Sequence, residues 1–414
     1  MIRQSSLLPW FIWALAGLFV VFNYIQQVVP NIIADELSHA FNASESTLGN
    51  IAASYFYAYA VLQIPVGLIV DRYGTRWPLV IAILAAGLGT LAFSWARSSG
   101  GAQMARLIMG ASAAFSFIGC LKLVEEWFPP SKFSTLAGMT NTAGMIGAAS
   151  GAPMAVLVND VGWRTALAWM GGAELMLAAL VFAVVRDRPA IVSYSAPEIQ
   201  SGGMFRLLGN PQAWINAVYA TSISLVFVAF GGLWGTSYIE KVYGLGAVAA
   251  AGTGSLLFLG GIAGSLFFGW YSDYLGRRKP PMVFAGVGAL ATMACLLYLP
   301  SIPLAGFKAG LFLVGFFSSA NIVSYAVARD LNPKLAGLSI GFLSTFYFAG
   351  SAASQPLVGM LLEHRSPHIQ GVAVLASLTA RDYRYALSPL VAFMLVGLIA
   401  SLLVRETLTN TTRQ

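Results

Sequence analysis

Twelve long apolar runs constrain the fold of this chain more than any other feature of its sequence. Each run holds about 20 or more mostly apolar residues, the length that a helix needs to cross the ~30 Å hydrocarbon layer of a bilayer. The runs are too long for the strands of a membrane barrel, and they lack a period of two residues. We number them span one to span twelve, at residues 8–33, 46–70, 77–96, 102–124, 132–158, 164–185, 212–239, 247–271, 280–300, 304–328, 335–362 and 385–404. They predict an all-α, polytopic membrane protein with twelve transmembrane helices.

Composition agrees with a membrane-embedded chain and limits its partners. Charged residues make up 9% of the 414 residues, against about 25% in ordinary globular domains. The net charge of +7 comes from Lys and Arg residues scattered between the spans, so it does not indicate a nucleic-acid partner. Cys120 and Cys295 lie in apolar segments. We therefore expect neither a metal site nor a disulfide framework, and no cofactor.

The charges also predict how the chain is oriented. An even number of spans places both termini on one side of the membrane, and the loops on that side carry more Lys and Arg than the loops on the other. By the positive-inside rule, both termini are expected in the cytoplasm, with the chain in the inner (plasma) membrane. The longest polar connection lies between spans six and seven. It predicts an N-terminal six-helix half at 1–188, a linker at 189–211 and a C-terminal six-helix half at 212–414.

A short charged motif occurs twice, in equivalent loops of the two halves. The loop after span two reads GLIVDRYGTR, and the loop after span eight reads GWYSDYLGRRK, offset by 202 positions in a chain of 414 residues. An offset of about half the chain indicates an internal duplication. The motif residues are Gly67, Asp71, Arg72, Gly74 and Arg76 in the first copy and Gly269, Asp273, Gly276, Arg277 and Arg278 in the second.

Each residue type in the motif has a physical role. The first glycine lets a neighbouring helix approach closely, the aspartate can accept hydrogen bonds from the amides at a helix N-terminus, and the second glycine permits a tight turn. The arginines can pair with acids or with lipid phosphates. We therefore predict a latch that holds the two halves together on the cytoplasmic side. The alternative, that these residues are only topogenic charges, explains the arginines but not the glycines or the aspartates.

The duplicated motif resembles the signature of the major facilitator superfamily of secondary transporters. Further resemblances are Arg106-x-x-x-Gly110 in span four, Trp-Phe-Pro at 127–129 and Gly-Trp-Arg at 162–164, and together they cover nearly the whole chain. The last two pieces are similar to the branch that holds sugar-phosphate and organic-anion permeases. The resemblance implies a monomeric transporter whose two six-helix halves rock to expose a central site to each side in turn.

The resemblance also implies that spans one, four, seven and ten line the central site, with help from spans two, five, eight and eleven. A polar side chain at lipid depth costs several kcal/mol when it lacks a partner, so the polar residues of these spans are expected to face a cavity. The predicted substrate-binding residues are Asn23, Tyr24, Gln27, Tyr55, Tyr59, Gln63, Tyr219, Ser222, Asn321 and Tyr325. For each tyrosine or serine, hydrogen bonding between helices is the competing explanation.

Three ionisable residues lie inside apolar sequence and limit the mechanism: Arg106, Lys122 and Glu174. Arg106 matches a family position that is linked to proton movement, and the alternative is that it snorkels to the membrane surface. Lys122 either pairs with Glu125 or Glu126 nearby, or binds substrate. Glu174 is either a proton carrier or a neutral acid that is hydrogen-bonded to a neighbouring helix.

Together these features predict a secondary active transporter of a small polar or zwitterionic organic metabolite, working by proton-coupled symport. Span one reads YIQQ from Tyr24 and lacks the arginine with which the organic-anion relatives bind their substrates. Two alternatives stay open: a proton-driven exporter of drugs or siderophore-like compounds, and an organic-anion or phosphate-ester exchanger. An enzyme is not expected, because the spans hold no Ser/His, Cys/His or paired-carboxylate arrangement. A sensor would need a signalling domain and is not expected either.

Overall fold

The computed structural model describes residues 7–128, 133–186, 207–299, 301–332, 336–365 and 378–407. The side chains of residues 64, 68, 71, 133–135, 336 and 337 lie outside this description, as does most of the linker predicted at 189–211. Every regular element among the described residues is a helix, which confirms the predicted all-α fold.

Nine of the twelve spans are single α-helices with bounds close to the sequence-based ranges. They are Leu8–Ile32, Glu45–Tyr73, Arg76–Trp95, Ser99–Trp127, Trp163–Val184, Ala247–Leu275, Lys279–Tyr298, Ala336–Arg365 and Ala380–Leu403. Side chains fix several of the starting points. Ser44 accepts a hydrogen bond from the Thr47 N–H at the start of span two, and Ser98 accepts one from the Gly101 N–H at the start of span four. The loops between spans therefore carry their own helix-start signals.

Spans five, seven and ten are interrupted near their middles. Span five consists of Phe133–Ala148 and Gly151–Val161, and span ten of Leu304–Ser318 and Asn321–Leu331. Span seven consists of Pro211–Ala229 and Gly235–Tyr243, joined by a π-helical turn at Phe230–Trp234. A π turn disturbs the regular backbone ladder and is frequent at functional sites. A short helix, Ala34–Phe41, connects spans one and two.

Spans two and eleven pack against each other where the two halves meet. Within the part of the chain that the structure describes, ten helical spans are long and apolar enough to cross a bilayer. Glu45–Tyr73 and Ala336–Arg365 have 29 and 30 residues, and they make the most extensive helix–helix contact of the described structure. Each of these two spans therefore buries much of its surface against the other half.

The two halves touch on the membrane side that lies opposite the chain ends. We call the side that holds the start of span one and the end of span twelve the terminal side, and the other the opposite side. On the opposite side, Gly49 of span two lies against span eleven, where an added Cβ would be 2.7 Å from the Pro356 Cα. Gly359 of span eleven likewise contacts the Glu45 backbone, and Gly151 of span five contacts span eight. Glycines therefore allow the halves to close on this side.

On the terminal side, the charged loops are bonded within their own halves. Arg278 forms ion pairs with Asp273 at 2.7 Å and with Asp330 at 3.2 Å, all in the C-terminal half. In the N-terminal half, Arg76 donates to the Phe182 carbonyl near the end of span six at 2.8 Å. Within the described ranges, the hydrogen bonds and glycine contacts that close the halves against each other thus lie on the opposite side, which corresponds to a conformation open to the terminal side.

In the duplicated motif, the two turn glycines have the backbone conformation that the sequence predicts. Gly74 and Gly276 have φ values of 77° and 60°, so both turns need the conformational freedom of glycine. Among the described residues, an added Cβ at Gly67 or Gly269 would meet no atom within 4 Å, so the described helices do not make the close approach expected there. The halves close on the other side, which removes the neighbour that we expected. The side chain of Asp71 lies outside the description, and the latch between the halves stays a prediction.

We expect Gly359→Ala to weaken closure on the opposite side, because the added methyl group meets the Glu45 backbone. Overpacking of this kind typically costs about 1–3 kcal/mol. In a cysteine-free background, a thiol placed at Leu48 should then react faster with a membrane-impermeant maleimide added from the opposite side. Gly67→Ala is the control, because a Cβ added there would contact no residue that the structure describes. Equal labelling rates in both variants would contradict the expected role of the glycine contact.

Candidate functional site

A proline in span one creates the first element of the site. Pro30 has no N–H, so the carbonyl of Gln26, four residues earlier, has no hydrogen-bond donor within its own helix. Arg106 of span four takes this place: its Nη1 donates to the Gln26 carbonyl at 2.6 Å, and its Nη2 donates to the Ala52 carbonyl of span two at 3.1 Å. The guanidinium is fully buried and lies 4.8 Å from the centroid of the Tyr55 ring. Arg106 therefore joins spans one, two and four through their backbones.

The Gln26 side chain extends this network to a buried carboxyl group. Gln26 Nε2 donates to Glu174 Oε1 of span six at 2.6 Å, and Thr90 Oγ1 of span three lies 2.9 Å from Glu174 Oε2. Glu174 is fully buried. Gln26 thus contacts Arg106 through its carbonyl and Glu174 through its amide, so one residue of span one links both buried ionisable groups.

The local surroundings of the three ionisable residues distinguish several of the alternatives. Arg106 does not snorkel, because backbone carbonyls of two spans hold its guanidinium inside the N-terminal half. Lys122 lies 3.4 Å from Glu125, which is the local ion pair considered above. Glu174 is hydrogen-bonded to a neighbouring helix, and its role as a proton carrier stays a prediction.

Asn31 joins the two halves at the π turn of span seven. Its Nδ2 donates to the Gly231 carbonyl at 2.9 Å, and its Oδ1 accepts from the Thr236 N–H at 2.8 Å. The side-chain amide thus matches one acceptor and one donor of the disturbed backbone. Ser46 of span two donates to Glu363 Oε1 of span eleven through its N–H at 3.1 Å and its hydroxyl at 2.9 Å. These hydrogen bonds close the opposite side between spans one and seven and between spans two and eleven.

Tyrosine side chains from both halves lie near one another where the halves face each other. Tyr24 and Tyr59 of the N-terminal half lie close enough to Tyr325 and Tyr347 of the C-terminal half to interact electrostatically. We call these four residues the tyrosine cluster. The Tyr59 ring also contacts Phe348 of span eleven, with 3.9 Å between the ring centroids. The cluster thus brings hydroxyl groups and aromatic faces of both halves near one another.

Five of the ten predicted substrate-binding residues belong to the tyrosine cluster or lie beside it. They are Tyr24, Gln27, Tyr55, Tyr59 and Tyr325. Gln27 hydrogen-bonds to Tyr55, and the Tyr55 hydroxyl donates to the Asn23 carbonyl at 3.3 Å. Gln63 and Asn321 are half-buried in spans two and ten.

The other three predicted substrate-binding residues are packed away from the tyrosine cluster. Tyr219 is fully buried in the C-terminal half, where its hydroxyl donates to the Met282 carbonyl at 3.3 Å. Ser222 is also buried and lies against Gly397 of span twelve. Asn23 is 1% exposed, and neither of its amide atoms has a hydrogen-bond partner among the described residues. These three side chains are buried in this conformation, and their part in substrate binding stays a prediction.

Several residues of the site were not among those predicted to bind substrate. Tyr347 lies in YFAGSAASQP, which resembles GMIGAASGAP of span five, and this repeat is the signal that points to it. Gln355 in the same stretch donates to the Val228 carbonyl beside the π turn at 3.2 Å. For Gln26 the signal is Pro30, because a proline inside a span identifies the carbonyl that a neighbouring side chain must satisfy.

Comparisons with known proteins agree with the fold and with the sequence resemblance. The family model of the Major Facilitator Superfamily matches residues 14–355 and 253–410. The membrane sensor protein UhpC of Salmonella typhimurium (strain LT2) is 25% identical over 398 residues, covering 89% of this chain and 88% of that protein. The probable galactarate/D-glucarate transporter GudP of Bacillus subtilis (strain 168) is 25% identical over 402 residues, covering 87% of each.

A solved structure has the same fold. It is a bacterial homologue of the human lysosomal transporter Spinster in an inward-facing and occupied conformation. The TM-score is 0.81 with 15% sequence identity, and the similarity covers 97% of both chains.

We predict that Asn31→Leu opens the opposite side, because the Gly231 carbonyl and the Thr236 N–H both lose their partner. A buried backbone group without a partner costs about 1–3 kcal/mol. A thiol at Leu48 should react several-fold faster with the impermeant maleimide in this variant. Asn23→Leu is the matched control, since it removes a span-one amide that has no partner among the described residues. Unchanged labelling in Asn31→Leu would show that this amide does not hold the halves together.

Proposed function

This chain belongs to the Major Facilitator Superfamily of membrane transporters, and we propose that it carries a small polar or zwitterionic organic metabolite across the inner membrane by alternating access. The observation that carries this proposal is the tyrosine cluster, to which both halves contribute. A ligand held there touches both halves at once, so its binding energy can favour the movement of one half against the other.

The chemistry around the cluster favours a ligand without net charge. The hydroxyl and amide groups of Tyr24, Gln27 and Tyr325 can donate and accept hydrogen bonds, and the rings offer an apolar face to a carbon skeleton. The guanidinium of Arg106 is fully buried and already donates hydrogen bonds to two backbone carbonyls. Lys122 is paired with Glu125. A neutral or zwitterionic ligand therefore fits the cluster without separating an existing pair.

An organic anion is the second candidate substrate, and the similarity to GudP, a probable galactarate/D-glucarate transporter, favours it. For such a ligand, Lys122 would have to exchange Glu125 for the anionic group of the substrate. Uptake of a radiolabelled panel into proteoliposomes separates the two candidates, provided that the panel contains glucarate, a neutral sugar and an amino acid. Saturable uptake of glucarate alone would replace the proposal of a neutral or zwitterionic substrate.

We predict that Tyr325→Phe weakens substrate affinity about fivefold, because a hydrogen bond to a ligand is worth about 1 kcal/mol. The measurement is equilibrium binding of the substrate that the uptake panel identifies. Tyr219→Phe is the matched control, since its hydroxyl bonds to the Met282 carbonyl inside the C-terminal half. It should change thermal stability without changing affinity. If the two variants lower affinity equally, the tyrosine cluster is not the binding site.

We propose that protons drive this transport and that Glu174 takes up the coupling proton. An ionised carboxylate buried at this depth is costly unless a cation pairs with it directly. Arg106 reaches Glu174 only through Gln26, so no described cation forms an ion pair with the carboxylate. Span one carries Gln26 on one face, Gln27 beside the tyrosine cluster, and Asn31 at the contact with span seven. A movement of span one during rocking therefore alters the hydrogen bond that Gln26 donates to Glu174.

We predict that Glu174→Gln abolishes accumulation of substrate driven by a pH gradient and leaves substrate exchange intact. Glutamine resembles the protonated acid in shape but cannot release a proton. Both activities are measured in the same proteoliposomes, with and without the imposed gradient. Asp160→Asn is the control, since it removes an exposed carboxylate at the end of span five. Should Glu174→Gln still accumulate substrate up the gradient, the coupling group lies elsewhere.

We propose that the terminal side is cytoplasmic, on the ground of the larger number of Lys and Arg residues in its loops. The conformation described above is then inward-facing, and the duplicated motif would form its latch when the cytoplasmic side closes. The name of UhpC points to a sensor as a further candidate function. A sensor binds its ligand without carrying it across, so substrate flux above that of protein-free vesicles separates a transporter from a sensor.

A further inference from the structure

A cavity of about 280 Å³ lies in the C-terminal half near the opposite side. The ends of spans seven, nine and twelve and the loop after span nine enclose it. Its polar part is lined by Tyr238, Tyr243 and Arg384, and its apolar part by Leu296, Leu299 and Ile302. The volume is near the lower end of the ~300–1,000 Å³ found for small-molecule pockets, so a headgroup-sized ligand fits. All of its lining residues belong to one half, so the cavity is separate from the tyrosine cluster.

Arg384 brings a positive charge that no described carboxylate neutralises. Its Nε is buried and has no hydrogen-bond partner among the described residues. Arg365, near the other end of the same loop, is instead paired with Asp382 at 3.3 Å. Glu240 lies close to the cavity in sequence and beside the carboxylates of Asp35 and Glu36, and no ion pair joins it to Arg384 in the described structure. Because a half-buried cation is stabilised by a negative partner, the cavity selects for an anion.

The two tyrosines of the cavity have different roles. Tyr243 donates its hydroxyl proton to the Ile302 carbonyl at 3.0 Å, so it shapes the wall and has no proton left for a ligand. Tyr238 hydrogen-bonds to Arg384, and because a guanidinium can only donate, the Tyr238 oxygen must accept. Its own proton therefore remains for a ligand. Arg384 and Tyr238 together form a donor set that suits the oxygens of a phosphate group.

We propose that this cavity binds a phosphate ester, held by Arg384 and Tyr238, with the adjoining carbon chain against Leu296, Leu299 and Ile302. Arg384 is the fifth residue of span twelve, which places it about 6 Å along the helix from its start, at the depth of lipid headgroups. The headgroup of an anionic phospholipid and a soluble phosphate ester share the chemistry that the site recognises. The experiment distinguishes these two sources.

The test uses the full-length protein in a neutral detergent and measures its thermal unfolding and its binding of labelled phosphatidylglycerol. Phosphatidylcholine is the comparison lipid, and glycerol 1-phosphate is the soluble competitor. We expect phosphatidylglycerol to raise the unfolding temperature of the wild type, because a ligand that binds only the folded state stabilises it. Arg384→Gln should weaken its binding at least tenfold, and Arg384→Lys should weaken it less. Displacement by glycerol 1-phosphate at comparable concentration supports a soluble ligand, and failure to displace supports the lipid.

The control is Arg381→Gln, which removes an exposed arginine from the same turn of span twelve without touching the cavity. It should bind phosphatidylglycerol like the wild type. Leu299→Trp provides a second variant that fills the mouth of the cavity and leaves Arg384 in place, so it should also lose binding. The proposal is overturned if Arg384→Gln and Leu299→Trp bind like the wild type, or if Arg381→Gln weakens binding as much as Arg384→Gln.

Discussion

The hydrogen bond from Arg106 to the Gln26 carbonyl is the interaction on which the N-terminal half depends. A backbone carbonyl without a donor is costly in a bilayer, and Pro30 creates one inside span one. Arg106 satisfies that carbonyl and binds the span two backbone at the same time. The carbonyl dipoles and the Tyr55 ring in turn stabilise the buried guanidinium. The backbone carbonyl that lacks a donor in span one and the buried guanidinium of span four thus stabilise each other.

The C-terminal half has a related arrangement with neutral chemistry. Val228 lies 202 positions after Gln26, the offset of the duplicated loop motif, and its carbonyl accepts a hydrogen bond from Gln355 of span eleven. A side chain from a neighbouring span therefore binds the equivalent carbonyl in both halves, with a guanidinium in one and an amide in the other. Arg106 and Glu174, both 0% exposed, lie in the N-terminal half, where the proposed coupling takes place. Asn31 then connects this half to the π turn of span seven.

Sequence reasoning was sufficient where hydropathy, repetition or backbone geometry decides the structure. It predicted the all-α fold and the turn glycines Gly74 and Gly276, whose positive φ values follow from the motif. It was insufficient where contacts between residues far apart in the sequence decide the position of a side chain. An arginine one turn inside a span is compatible with snorkelling and with burial, and only the neighbouring backbones settle its position. Tyr219 and Tyr325 both lie in spans that are expected to line the central site. Tertiary packing nevertheless buries Tyr219 inside the C-terminal half and leaves Tyr325 in the tyrosine cluster. The open contacts at Gly67 and Gly269 depend on the conformation, which no local pattern encodes.

The central claim is that two internally bonded halves rock against each other, so that one side of the membrane opens as the other closes. Distances between spin labels in lipid test it directly, using double electron–electron resonance on two label pairs. One pair sits at the exposed residues Tyr73 and Tyr274 on the terminal side, and the other at Ala40 and Ala247 on the opposite side. Under any condition that changes the populations, such as a change of pH, the account predicts that one mean distance lengthens while the other shortens. Two distances that change in the same direction, or a change at one pair alone, would contradict it.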